Sequence, residues 1–240
     1  MNLSVVMAGR NDDYGGGDYL RRMNQCLRSV APLGCEIIMV EWNPPPYRTS
    51  LLHVIEAKGV RVITVPPELC SQMHGADLMP MFEYRAKNVG IRRAKGDWIL
   101  VMNSDIQLTP EMRERLDKGI FDRYAIYRCL RQDMHNGEIV QITDGPGDFV
   151  LMHEDIWFRL RGYLDLVSYT HIDSLLYWTA QKFLKMPVET LPEFVIHEEH
   201  DRSDHKSRWG IHSSDIHRLI GERNEEDWGL RDIRLIERIT

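Results

Sequence analysis

Three apolar runs in this sequence stop on polar clusters. LSVVMA (Leu3 to Ala8) leads into Gly9-Arg10-Asn11-Asp12-Asp13, EIIMVEW (Glu36 to Trp42) carries Glu41 at its end and continues into Asn43, and WILVM (Trp98 to Met102) runs into Asn103-Ser104-Asp105. One acidic strand end is an ordinary turn or helix cap. Three in one sheet converge on a single crevice, because open parallel sheets bind ligands beyond the carboxyl ends of their strands. Carboxylates placed there accept hydrogen bonds from a ligand or support a hard divalent cation. Farther along, Arg85, Asn88 and Arg92 fall at i, i+3 and i+7 and share one helix face. His197 and His200 follow the short apolar run Phe194-Val195-Ile196. Their spacing suits a metal pair, but the H-E-x-x-H helix signature is absent and no third ligand is evident; the other reading is a solvated polar tail.

Such clusters need a rigid frame, and the apolar runs supply one. LSVVMA, EIIMVEW, VRVITV (Val60 to Val65) and WILVM are β-branched or aliphatic on consecutive positions rather than alternating. Strands covered on both faces have that pattern, as in a parallel sheet. Helical periodicity lies between them. In YLRRMNQCLRSV, Leu20, Met23, Leu27 and Val30 share a face. In EYRAKNVGIRRAKG, Ala86, Val89, Gly90 and Ala94 form a narrow face of small residues, and Gly96 suits the helix exit. Alternating strands and helices predict an α/β doubly wound domain. Past Asp105, Thr109-Pro110-Glu111 reads as a helix start. Strands are expected at YAIYRCL and EIVQI around the turn HNG, then a strand and a helix in GPGDFVLMHEDIWFRLRGYLD, and another helix over Asp173 to Leu184.

The 240 residues, 43% hydrophobic and 28% charged, suffice for a sizeable core without disulfide staples. A net charge of −6 argues against a nucleic-acid partner. Cys26, Cys35, Cys70 and Cys129 are scattered without metal spacing and read as reduced thiols of a cytoplasmic protein. No apolar run approaches the ~20 residues of a transmembrane segment.

The order strand-NDD, strand-acid, then Arg85-Ala86-Lys87-Asn88-Val89-Gly90, Ala94-Lys95-Gly96-Asp97 and Asn103-Ser104-Asp105 resembles the nucleotide-binding half of GT-A fold glycosyltransferases of the family 2-like group. There, a segment of the type R-N-x-G-x-x-x-A-x-G leads into a strand ending in D-x-D. GDFVLMHEDIWFRLRGYLD is similar to the acceptor-side segment, so the resemblance covers most of residues 1 to about 200. It implies a GT-A (Rossmann-like) mostly parallel sheet with a small acceptor-side subregion. Residues 1–107 would form the nucleotide-sugar half and 108–205 the acceptor half of the same domain, followed by a helical tail over 206–240.

The resemblance also implies a chemistry. Asp105 maps to the last acid of the D-x-D, the position that reaches Mn²⁺ or Mg²⁺; Asn103 replaces the first acid and Ser104 lies between them. Glu41 would accept from a nucleobase imide, favouring a uracil-type donor, with Arg10, Asp12 and Asp13 sharing the base and ribose pocket. Arg85 would meet the diphosphate and Asn88 would fix the loop that carries Asp105. His197, with His200 beside it, would reach the cation from the far side. Asp173 is the candidate general base for an inverting transfer and also an N-cap, with His171 as an acceptor contact. Arg202, Lys206, Arg208 and Trp209 would close over the diphosphate as a lid. The expected activity is transfer from a nucleoside-diphosphate sugar to a saccharide or other hydroxyl acceptor. A retaining enzyme using Asp148, a nucleotidyltransferase (Gly15-Gly16-Gly17 is a weak phosphate-loop signal) and an inactive sugar-nucleotide-binding domain are the alternatives.

Overall fold

The computed structural model describes residues 1–12, 16–145, 147–168, 170–200, 210 and 213–240. Asp13 and the four residues assigned to the lid lie outside the described residues. The four consecutive apolar runs form strands β1 (Leu3–Gly9), β2 (Glu36–Trp42), β3 (Val60–Val65) and β4 (Trp98–Met102). They pair in parallel in the order β3-β2-β1-β4, with Val5 opposite Ile37 and Leu100. Successive residues enter opposite cores. Val5, Met7 and Met39 pack on one face with Met23 and Leu27 of helix α1 (Tyr19–Val30). Val6, Ile38 and Val40 pack on the other with Ala86 and Val89 of helix α4 (Glu83–Arg93). Two short helices, α2 (Leu51–Val54) and α3 (Pro67–Cys70), complete the connections between them.

The small-residue face of α4 lets it lie directly on the sheet: a Cβ at Gly90 would sit 2.4 Å from a methyl of Val6. Gly96 has a different role from the expected helix exit. The helix ends at Arg93 with Ala94 as cap, whereas Gly96 passes against β1 and donates its N–H to Ser4 Oγ at 2.8 Å. A Cβ there would meet the Ser4 nitrogen at 2.6 Å and the Leu3 carbonyl carbon at 2.8 Å. Backbone cannot move aside by changing rotamer. Gly96→Ala is therefore expected to cost about 1–3 kcal/mol, seen as a lower urea midpoint; an unchanged midpoint would show that β1 yields freely.

Beyond β4 come β5 (Ile106–Leu108), helix α5 (Pro110–Lys118), the hairpin β6 (Ile126–His135) and β7 (Glu138–Thr143), and β8 (Phe149–His153). Thr109 caps α5 by accepting from the Met112 N–H, as its position predicts. The hairpin turns at Asn136-Gly137, both at positive φ. Helix α6 (Glu154–Leu160), helix α7 (Ile172–Thr179) with a wider turn over Ala180–Leu184, and β9 (Val188–Glu198) follow. The 206–240 tail departs from the helical expectation. Among its described residues only α8 (Ser213–Leu219) is helical, and the chain ends in β10 (Ile236–Ile239), antiparallel to β3. The full order is β10-β3-β2-β1-β4-β8-β6-β9-β5, with β7 on β6. Among the described residues no helix is long and apolar enough to cross a membrane.

Strand direction decides which side chains can meet. β8 runs antiparallel to β4, and β6 and β9 run antiparallel to β8, so β6 and β9 point the same way as β4. The ends of β4, β6 and β9 and the start of β8 thus share one sheet edge with the ends of β1 and β2.

Candidate functional site

At that edge Asp105 sits in the tight turn between β4 and β5, where Ile106 N–H donates to Asn103 O. Register places His197 of β9 opposite Ile106, and His200 follows just beyond the strand. One potential ligand atom from each of Asp105, His197 and His200 lies within 4.8 Å of the others. His200 Nε2 is 3.2 Å from Asp105 Oδ2, and the two imidazole rings meet edge to face. Asp105 is buried, which raises its pKa. The His200 hydrogen bond and nearby positive charge, Arg22 among it, outweigh that and hold it below the ordinary carboxylate range. Burial pushes His197 down against the pull of Asp105, favouring the neutral imidazole that ligates metals. His197 Nδ1 meets Asp133 Oδ1 at 2.8 Å, so Nε2 is the nitrogen left for a ligand. The donor set fits a divalent cation: one carboxylate and two imidazoles, one of them oriented by an acid.

Ser104 turns away from this set. Its Oγ lies 3.0 Å from Tyr19 OH, which also fills the space a Cβ at Gly9 would take. Asn103 faces β8. Its Nδ2 donates to Asp148 Oδ1 at 2.9 Å, and its Oδ1 accepts from Lys87 Nζ at 2.5 Å. Lys87 is fully buried and also donates to Glu83 at 2.6 Å. In the motif type R-N-x-G the residue directly before the Asn is Lys87, so Lys87, not Arg85, is the cation the motif brings to the strand end. Burial pushes Asp148 up to about 7 against the opposing charges of Arg131 and Lys87. Arg131 Nη1 donates to Asp148 Oδ2 at 2.8 Å.

Glu41 requires a correction. It is fully buried, and its carboxylate accepts from Leu51 N–H at 2.6 Å, Ser50 Oγ at 2.7 Å and Thr64 Oγ1 at 3.1 Å. It ties β2 to the start of α2 and to β3, wholly buried beneath them. Glu41 thus presents no carboxylate to a nucleobase imide. Arg85 pairs with Asp165 and lies over the Phe82 ring. Asn88 clamps Tyr163 by accepting from its N–H and donating to its carbonyl, each at 2.8 Å. Asn88 thus fixes the loop after α6 rather than the loop of Asp105. Both line a cavity of about 430 Å³ with Trp42 and Trp228, and none of the three candidate ligands lines it. Arg10 bridges the β1 and β2 ends, donating to Asn43 O at 2.8 Å and Asp12 Oδ2 at 2.7 Å.

Asp173, expected as the N-cap, lies in the first turn of α7, two residues past the cap. His171 is the N-cap, exposed and left-handed at φ 64°, and makes no side-chain cap bond. Asp173 Oδ1 accepts from Ser174 N–H at 2.8 Å. A Cβ on Gly147 would meet its Oδ2 at 2.9 Å and Tyr84 OH at 3.1 Å, so the glycine leaves the carboxylate room beside β8. Burial raises the Asp173 pKa, with Lys87 opposing. Arg22, Lys87, Arg131 and Asp133 escaped the sequence reading. In a helix or hairpin each reads as a solvent-facing charge, and only the tertiary contacts bury them.

Comparison with known proteins bears on the fold. Residues 83–174 match the Glycosyl transferase family 2 profile, a span that runs from the start of α4 through Asp173. No curated protein matches the chain by sequence. Among solved structures, Staphylococcus aureus TarS 1–349 in complex with UDP-GlcNAc superposes with a TM-score of 0.63 at 13% identity, covering 91% of this chain and 64% of TarS. The mannosyltransferase PcManGT from Pyrobaculum calidifontis, in complex with GDP-Man and Mn²⁺, gives 0.54 at 11% identity, covering 85% and 58% respectively. This chain thus spans less than two thirds of either. Its sheet order and these superpositions give the chain the α/β fold of the GT-A transferases, and residues 83–174 are similar to glycosyl transferase family 2.

Proposed function

We propose that the chain transfers a sugar from a nucleoside-diphosphate sugar to a hydroxyl acceptor, with inversion, using a divalent cation at Asp105, His197 and His200. The observation that carries this reading is the convergence of those three side chains, from the β4–β5 turn and from the end of β9, at the edge where Asp148 and Lys87 also lie. A cation held there would offset the charge of the departing diphosphate and polarise the leaving oxygen. Two imidazoles and one carboxylate match Mn²⁺ better than Mg²⁺, which prefers an all-oxygen octahedron. Lys87, buried and aimed at the strand end through Asn103 Oδ1, adds a fixed positive charge facing the same edge. Asp173 takes the proton from the acceptor hydroxyl. Its burial raises its proton affinity, which suits a general base near neutral pH. Arg10 and Asp12 at the β1 end border the nucleoside side of the crevice. TarS with UDP-GlcNAc and PcManGT with GDP-Man and Mn²⁺ support the donor class and the cation, and make UDP and GDP the two probes.

The test is a thermal shift with UDP or GDP. Stabilisation is expected with Mn²⁺, more weakly with Mg²⁺, and should vanish in EDTA. A nucleotide shift indifferent to EDTA would count against the three ligands. Pyrophosphate release from a nucleoside triphosphate would favour nucleotidyl transfer instead.

A further inference from the structure

The candidate ligands do not stand alone. Asp133, near the end of β6, receives His197 Nδ1 at 2.8 Å and Arg131 Nε at 2.9 Å on its Oδ1, and Thr143 Oγ1 at 2.9 Å on its Oδ2. Arg131 then reaches Asp148 through Nη1, and Asp148 holds the amide of Asn103. The chain of contacts runs His197–Asp133–Arg131–Asp148–Asn103–Lys87, across the sheet edge from β9 to α4. Its geometry fixes proton positions. An Asp133 ion-paired with a guanidinium and accepting from a hydroxyl is a pure acceptor. The proton between it and His197 therefore sits on Nδ1, and the Nε2 lone pair points outward to the cation site. The far end obeys the same logic. Asp148 accepts from the amide nitrogen of Asn103, so the amide oxygen must face Lys87.

We propose that Asp133 and Arg131 are positioning residues of this site. Asp133 sets the tautomer and rotation of His197, and Arg131 couples that histidine to the Asp148–Asn103–Lys87 group on the opposite side of the crevice. This rests on the metal-dependent reading above, but the tautomer part stands apart from it. Arg131 is suited to the task because one planar fork serves two buried acids, which a lysine point charge cannot do.

The test uses the full chain in two arms. In the metal-free protein, long-range ¹H–¹⁵N NMR of the imidazoles, with His197 assigned from the His197→Gln spectrum, should show the Nδ1–H tautomer in wild type and a mixture in Asp133→Asn. In the second arm, Mn²⁺ uptake without nucleotide, followed by the EPR signal of the free ion, should weaken about 10- to 100-fold in Asp133→Asn. Arg131→Lys should weaken it too, while the near-UV circular dichroism stays native. Arg131→Met leaves two buried acids without their cation; if it fails to fold, Arg131→Lys and Asp133→Asn carry the test. A wild-type His197 protonated on Nε2, or unchanged Mn²⁺ affinity in both conservative variants, would overturn the proposal. Tautomer control in a protein that takes up no Mn²⁺ would support the orienting role of Asp133 and defeat the metal-dependent function instead.

Discussion

Asp105→Ala is expected to abolish the Mn²⁺-dependent part of nucleotide stabilisation and to lower sugar transfer by about 10²-fold or more. It supplies the only carboxylate of the three-ligand set, so its loss leaves two imidazoles facing a dication with no compensating negative charge. The same substitution should not unfold the protein. Asp105 is buried and kept ionised by the His200 hydrogen bond and by nearby positive charge, Arg22 among it. Removing it gives up that pairing but also removes a desolvated charge, and the two effects oppose each other. The measurement is a pair of titrations, UDP or GDP with Mn²⁺ and with EDTA, alongside a hydrolysis assay on the matching nucleotide sugar. If Asp105→Ala retained wild-type metal-dependent stabilisation, the cation would have to sit elsewhere. Slow donor hydrolysis by wild type that disappears in the variant would exclude an inert binding domain.

The second large effect belongs to Asp173→Asn. Transfer should fall about 10²- to 10⁴-fold, the range for loss of a general base, while the donor Kd stays near wild type. Asparagine preserves the volume beside Gly147 and Tyr84 and can still accept from Ser174 N–H, so the first turn of α7 should persist. The pH profile gives an independent check. Burial raises the Asp173 pKa, and a base works only when deprotonated. Transfer should therefore decline with acidification at a pH above that of an ordinary exposed aspartate, and the residual activity of Asp173→Asn should lose that limb. Unimpaired transfer would remove Asp173 as base and turn attention to Asp148, the carboxylate a retaining mechanism would place near the sugar.

The frame of this protein was legible in its sequence because it is written in local patterns. The mostly apolar runs at 3–8, 36–42, 60–65 and 98–102 can be buried only if both faces of a strand are covered, and β1 to β4 follow those runs closely. Thr109-Pro110 marked the start of α5 by the same local logic. Less was legible where an element depends on its neighbours. β5 is three residues long, and β10 is the short, exposed Ile-Glu-Arg-Ile at a sheet edge, so each gains its identity from the strand it pairs with. β9 showed only Phe194-Val195-Ile196 of its length, because only Leu191 and Val195 of its side chains are buried.

The candidate site divides in the same way. The residue types and order around Asn103-Ser104-Asp105 and His197 were readable, since a strand ending in an acid leaves a local trace. Glu41 left the same trace and proved to be a buried tie between β2, α2 and β3. Whether an acid faces a crevice or a helix N-terminus depends on which face of the strand it leaves and on what covers that face. Arg131 and Asp133 left no trace, since a charged residue on a hairpin is ordinarily solvated, and Lys87 left one only in its place directly before Asn88. The sequence by itself determined the strands, the helices between them and the stock of acids and histidines at strand ends. Only the tertiary structure decided which of those groups meet: it set the direction of β6, β8 and β9 against β4 and thereby brought His197, Asp133, Asp148 and Asp105 to one edge, because side chains distant in sequence acquire fixed distances only once register and strand direction are set by the packed sheet.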